Sequence, residues 1–144
     1  MGNETILFLN RIFAEAMALL MESHDFLMRV EDGGEETLPV ENRLAFHAAS
    51  MRLAARMSEI MAWMLAQKAA DSGEMTEAQA ASPAFSLSHL PVCKGREGEE
   101  DESLPEDFRS MLRRSRALYE RIERLEGRLH DDPSPPPGLP EDAD

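Results

Sequence analysis

The chain has 144 residues, 42% of them hydrophobic and 30% charged, with a single cysteine and a net charge of −13. That length is one domain with some polar excess, the lone Cys93 excludes an internal disulfide framework, and no Cys/His grouping has the spacing of a structural zinc site. A surplus of acids this large argues against a polyanionic partner, because phosphate binding needs basic charge gathered on at least one face.

The apolar runs Ala16–Met21 and Ile60–Ala66 fall well short of the roughly 18 residues that span a bilayer. The N-terminal residues also lack the basic segment, apolar core and cleavage site of a signal peptide. A cytoplasmic protein without membrane contact is expected.

From Thr5 to Val30 the polar residues Arg11, Glu15, Glu22, Asp25 and Arg29 share an arc of about 80° at about 100° per residue, and the rest of the circle is apolar. This predicts a helix buried over more than half its circumference, ended by Asp32-Gly33-Gly34, with Leu38-Pro39 leading into the next. From about Val40 to Ala70 the pattern is apolar almost all round, apart from one strip that holds Arg52, Arg56, Glu59 and Gln67. Ala, Leu, Met and Arg fill this second helix, so propensity agrees with pattern, and Gly73 marks its end.

Thr76-Glu77-Ala78-Gln79 fits a capping box opening a short extra helix that Ser82-Pro83 stops. Residues 83–93 read as an ordered but irregular connection, with Phe85, Leu87, Leu90 and Val92 packing down on the helices. Residues 94–102 hold two glycines and five acids, offer no apolar surface to offset ordering entropy, and are predicted to be a mobile acidic loop. Ser103-Leu104-Pro105-Glu106 is a second capping box with proline in the first turn. The helix after it is two-faced: Phe108, Met111, Leu112, Leu118, Tyr119, Ile122, Leu125 and Leu129 lie opposite Arg109, Arg113, Arg114, Arg116, Arg121, Arg124 and Arg128. The proline-rich acidic segment 131–144 is predicted to be a disordered arm. The fold class expected is all-α: one antiparallel three-helix bundle over residues 5–130 with a short extra helix.

Nothing in this pattern supports catalysis. No histidine pairs with a second ligand at helical spacing; His24 reads as a hydrogen-bonded core or interface residue and His130 as a complement to a helix C-terminus. The acids of Glu35-Glu36 and 99–102 sit on glycine-bearing segments without an apolar pocket, and Cys93 has no base partner, so it reads as inert. No catalytic residue, metal ligand or cofactor is therefore assigned. The arginine face has three readings: neutralisation by the acidic loop and tail, docking of an acidic partner, or nucleic-acid binding through Arg113, Arg116 and Arg124.

Trp63 falls inside the polar strip of the second helix, beside Arg56 and Glu59, and is expected to point away from the bundle core. Either the 83–93 connection covers it or it anchors a partner. Met17, Met21, Met28, Met51, Met57, Met61 and Met64 enlarge apolar arcs beyond what one neighbouring pair covers, which points to self-association. The candidate partner contacts are Trp63, Arg56, Glu59, Met64, Arg113, Arg116, Tyr119 and Arg124.

The segments AEAMALLMESHDFL (14–27), RLAARMSEIMAWMLAQKAADSGEMT (52–76) and RSRALYERIERLE (114–126) resemble the small alphaproteobacterial family represented by the regulator of CtrA degradation. The most telling pieces are Ala62-Trp63-Met64-Leu65, Gly73-Glu74-Met75-Thr76 and Leu118-Tyr119-Glu120-Arg121, which are packing and turn motifs. The resemblance implies a three-helix bundle that dimerises and ends in a disordered acidic arm. It also implies a non-enzymatic adaptor that delivers cell-cycle regulatory proteins, as cargo, to the ClpXP protease with a response-regulator partner.

Overall fold

The computed structural model describes residues 3–31 and 38–130. These form α1 (Asn3–Glu31), α2 (Val40–Asp71), two single-turn helices α3 (Glu77–Ala80) and α4 (Pro91–Lys94), and α5 (Glu106–His130), with no strand among the described residues. The fold is all-α, and its three long helices each pack against the other two. The expected helix-ending glycines 33–34 and the acidic arm 131–144 lie outside the described residues.

α1 buries Leu9, Ile12, Ala16, Leu19, Ser23 and Phe26, the three- and four-residue spacing of one helical face. Phe26, Phe46 and Phe108, one from each long helix, meet with ring centroids 4.8 to 6.2 Å apart and close one end of the core. Offset and tilted rings at this spacing add to the burial of their faces. α2 leaves its last turn through Gly73, whose φ of +82° a glycine adopts without steric cost.

The helix directions depart from the expected up-down-up order. Glu22 pairs with Arg114 and Glu15 with Arg121, so α1 and α5 are antiparallel; Asn10 meets Lys68 and Phe26 meets Phe46, so α1 and α2 are antiparallel too. Phe46 meets Phe108, Arg56 meets Leu112 and Glu59 meets Tyr119, so α2 and α5 run the same way. Parallel neighbours need a long return, and residues 72–105 supply it: Leu87 touches Glu126 late in α5, Cys93 touches Arg56, and Ser103 touches Asn42 early in α2.

That return segment corrects three local expectations. Leu87 and Cys93 are buried, but Leu90 and Val92 stay exposed, because Pro91–Lys94 winds into α4 instead of lying irregularly on the helices. Residues 94–102 are held as packed turns, anchored by Glu99, rather than as a mobile loop. The capping box at Thr76 and Gln79 forms as expected, whereas Ser103 donates its hydroxyl to Asp101 and α5 begins at Glu106 without it.

Candidate functional site

The eight candidate contacts lie on α2 and α5, four on each, and the structure buries four of them inside the protein. Trp63 is only 2% exposed, and Arg56, Met64 and Tyr119 are fully buried. Their assignment as partner contacts is corrected: the polar strip of α2 faces α5 and the return segment, which cover it. His24, read as a core or interface residue, lies outside the core, exposed on α1.

Arg56 organises this seam. Its Nε donates to the Cys93 carbonyl at 2.7 Å, its Nη1 to the Leu112 carbonyl and the Ser115 hydroxyl at 2.9 Å, and its Nη2 to the Gly95 carbonyl. Arg52, one turn away, donates to the Pro91 and Val92 carbonyls. A helix leaves its last carbonyls without partners, so the two guanidinium forks satisfy the C-terminus of α4 and tie it to α2. Burial, with Arg52 and Arg116 nearby, pushes Arg56 down to about 10, which leaves it charged at neutral pH.

Glu59 does the complementary work one turn on. Its carboxylate accepts from the Ser88 amide and hydroxyl at 2.6 Å, from Cys93 Sγ at 2.9 Å and from the Tyr119 hydroxyl at 3.1 Å. Burial acts to raise its pKa, but the bonds from Cys93, Ser88 and Tyr119 outweigh it and hold the carboxyl below its ordinary value. Burial and the adjacent Glu59 push the Cys93 thiol up to about 11, the opposite of what a nucleophile needs. Burial likewise raises Tyr119. The Tyr119 hydroxyl also accepts from the amide of His89, which holds the left-handed φ of 59° that most side chains avoid.

The arginine face of α5 is largely neutralised within the chain. Arg116 grips the buried Glu99 through two nitrogens and reaches Glu120, Arg113 and Arg109 pair with Glu106, and Arg114 and Arg121 cross to Glu22 and Glu15 of α1. Glu99 reaches its place because Gly98 turns at φ +94° with Leu112 only 3.1 Å from where a Cβ would stand. Of the arginines considered for nucleic acid, Arg113 and Arg116 are thus engaged and Arg124 is exposed.

The comparison with known families matches residues 5–141 to a family described as a protein of unknown function, DUF1465. The chain belongs to that family. No curated protein and no solved structure matches it.

Part of what this DUF1465 chain leaves open to solvent is apolar. On α2 the positions Val40, Leu44, Met51 and Leu65 are exposed, Leu44 by 82% and Met51 by 72%, in line with exposed Ala48, Ala54, Ser58 and Ala62. These fall three or four residues apart, form one continuous stripe, and contain no charged side chain. On α1 Leu7, Met21 and Met28 are exposed in the same manner. Pattern reading missed the α2 stripe because it took the charged strip for the solvent face, although the near-complete apolar circle of that helix already required one apolar side to lie outside. Among the described residues no helix is long and apolar enough to cross a membrane, and no three His, Cys, Asp or Glu side chains are grouped to hold a metal ion.

Proposed function

We propose that this protein is a non-enzymatic adaptor, a helical scaffold that binds other proteins through the outer faces of α1 and α2. The observation that carries the reading is the exposed stripe from Val40 to Leu65 on α2. Contiguous apolar surface rimmed by polar residues is costly to leave in water and is characteristic of docking sites. The titratable groups of the buried seam support the same reading, since their pKa values are displaced away from catalytic use: the thiol upward, the Glu59 carboxyl downward.

The resemblance to the regulator of CtrA degradation supplies the partners: the ClpXP protease, a response regulator and a protein cargo, met in the cytoplasm. In this reading the expected three-helix bundle acts as a dimer, with α2 facing the partner and the acidic arm 131–144 reaching a second one, raising its effective concentration. The test uses purified full-length protein with purified ClpXP and response regulator. Met51→Glu is expected to lower the affinity for one of them at least about tenfold, the cost of setting a charge in a desolvated apolar contact. Wild-type affinity of Met51→Glu for both would defeat the proposal.

A further inference from the structure

The outer face of α1 carries a second pattern, distinct from the α2 stripe. Leu7, Arg11, Ala14, Ala18, Met21, Asp25 and Met28 are all exposed and follow one another at alternating four- and three-residue intervals. The buried residues of the same helix, Leu9 to Phe26, lie on its opposite side. A 4-3 alternation keeps a narrow seam on one side of a helix over its length, which is the requirement for pairing with another long helix.

The sequence along this seam is reversible in a way that specifies its occupant. Read from either end, an end apolar residue is followed by a charge, then an intermediate position, then Ala18 at the centre. We infer that α1 pairs with α1 of a second copy of this chain, antiparallel, about a two-fold axis passing beside Ala18. In that register Leu7 faces Met28 of the partner subunit, Arg11 faces Asp25 of the partner subunit, and Ala14 faces Met21 of the partner subunit. Each pairing occurs twice by symmetry, as a self-complementary interface requires.

Charge and size both select this orientation. A parallel pair would set Arg11 against Arg11, Asp25 against Asp25, Met21 against Met21 and Ala14 against Ala14, giving like charges and uneven girth. The antiparallel pair sets opposite charges together, puts Met21 on Ala14 of the partner subunit and joins Leu7 to Met28 of the partner subunit at the ends, and Ala18 at the axis lets the backbones approach. Among the described residues no ion pair of Arg11 competes, and Asp25 reaches its exposed neighbour His24 alone, at 3.7 Å. The acids Glu15 and Glu22 are already held by α5 on the flank of the seam, so they do not repel across it.

This inference rests on the self-association in the reading above and adds its helix, direction and register. The test is equilibrium sedimentation of the full chain together with oxidative cross-linking of variants that carry one cysteine substitution at an exposed position, native Cys93 being buried. The expected mass is twice the 16.1 kDa of one chain. Ala18→Cys is expected to form a covalent dimer by itself, Leu7→Cys to form one only when mixed with Met28→Cys, and unaltered protein to form none. Arg11→Asp is expected to weaken the dimer about tenfold and Asp25→Arg in the same chain to restore it. A single-chain mass at all concentrations would overturn the inference and the self-association beneath it. A dimer in which Ala18→Cys fails to cross-link, or in which Leu7→Cys links to itself, would overturn the register and leave self-association standing. Client binding by Met51→Glu is read separately on α2, so failure of the adaptor reading is distinguishable from both.

Discussion

The inner and outer faces of α2 carry opposite chemistry, and each sits where its composition alone would not place it. The inner face holds Arg56, Glu59 and Trp63 under α5 and the return segment, while the outer face holds Leu44, Met51 and Leu65 in water. Arg56 and Glu59 are tolerated there because each finds several partners at hydrogen-bond distance. Among the described residues nothing covers the outer apolar groups. The comparison separates two sides of a single helix: one fixes the return segment and thereby the direction of α5, the other stays open to solvent.

The sharpest way to break that division is Arg56→Ala. It strips donors from the carbonyls of Cys93, Gly95 and Leu112 together and leaves a void, so denaturant unfolding should show a loss of about 5 kcal/mol or a chain that does not fold. Trp63→Ala comes next, at about 4 kcal/mol, as expected for a large side chain removed from a core. Its partner affinity, measured on the folded fraction, should match the unaltered protein; a specific loss of binding without loss of stability would return Trp63 to the surface. Gly98→Ala should cost about 1–2 kcal/mol by straining φ +94° and crowding Leu112, and it should loosen the Arg116–Glu99 clamp, visible as faster amide exchange in residues 96–102.

Glu59 gives a smaller effect confined to acid. Its folded pKa lies below the ordinary 4.5, so the stability it contributes is present above that value and is lost as pH falls through the folded pKa. Glu59→Gln should therefore be less stable than the unaltered protein at neutral pH, and the gap between them should narrow below 4.5. Parallel stability curves through that range would show that the carboxylate contributes nothing to the seam.

Much of the helical content was legible in the chain itself. The first two helices were expected over 5–30 and from 40 to about 70, and they span Asn3–Glu31 and Val40–Asp71, because long 3.6-residue periodicity and the glycine exit at Gly73 are local signals. Neutralisation of the α5 arginines by the adjoining acidic loop was one of three readings that the sequence left open, while the burial of Glu99 under Arg116 was not legible in a segment that reads as a mobile loop. The direction of α5 was not, because residues 72–105 carry no periodic pattern and their course depends on contacts 30 to 60 residues away. The burial of Arg56 was illegible for the same reason: its acceptors are main-chain carbonyls of Cys93, Gly95 and Leu112, which no side-chain pattern reports. A charged strip reads as a solvent face until something is known to cover it.

The most direct test sets the stability and the partner affinity of Met51→Glu side by side. Met51 is 72% exposed, so the variant should unfold within about 0.5 kcal/mol of the unaltered protein while binding of ClpXP or the response regulator falls at least about tenfold. A destabilised variant would mean that Met51 belongs to the core, and a stable variant with full binding would mean that the outer face of α2 touches no partner.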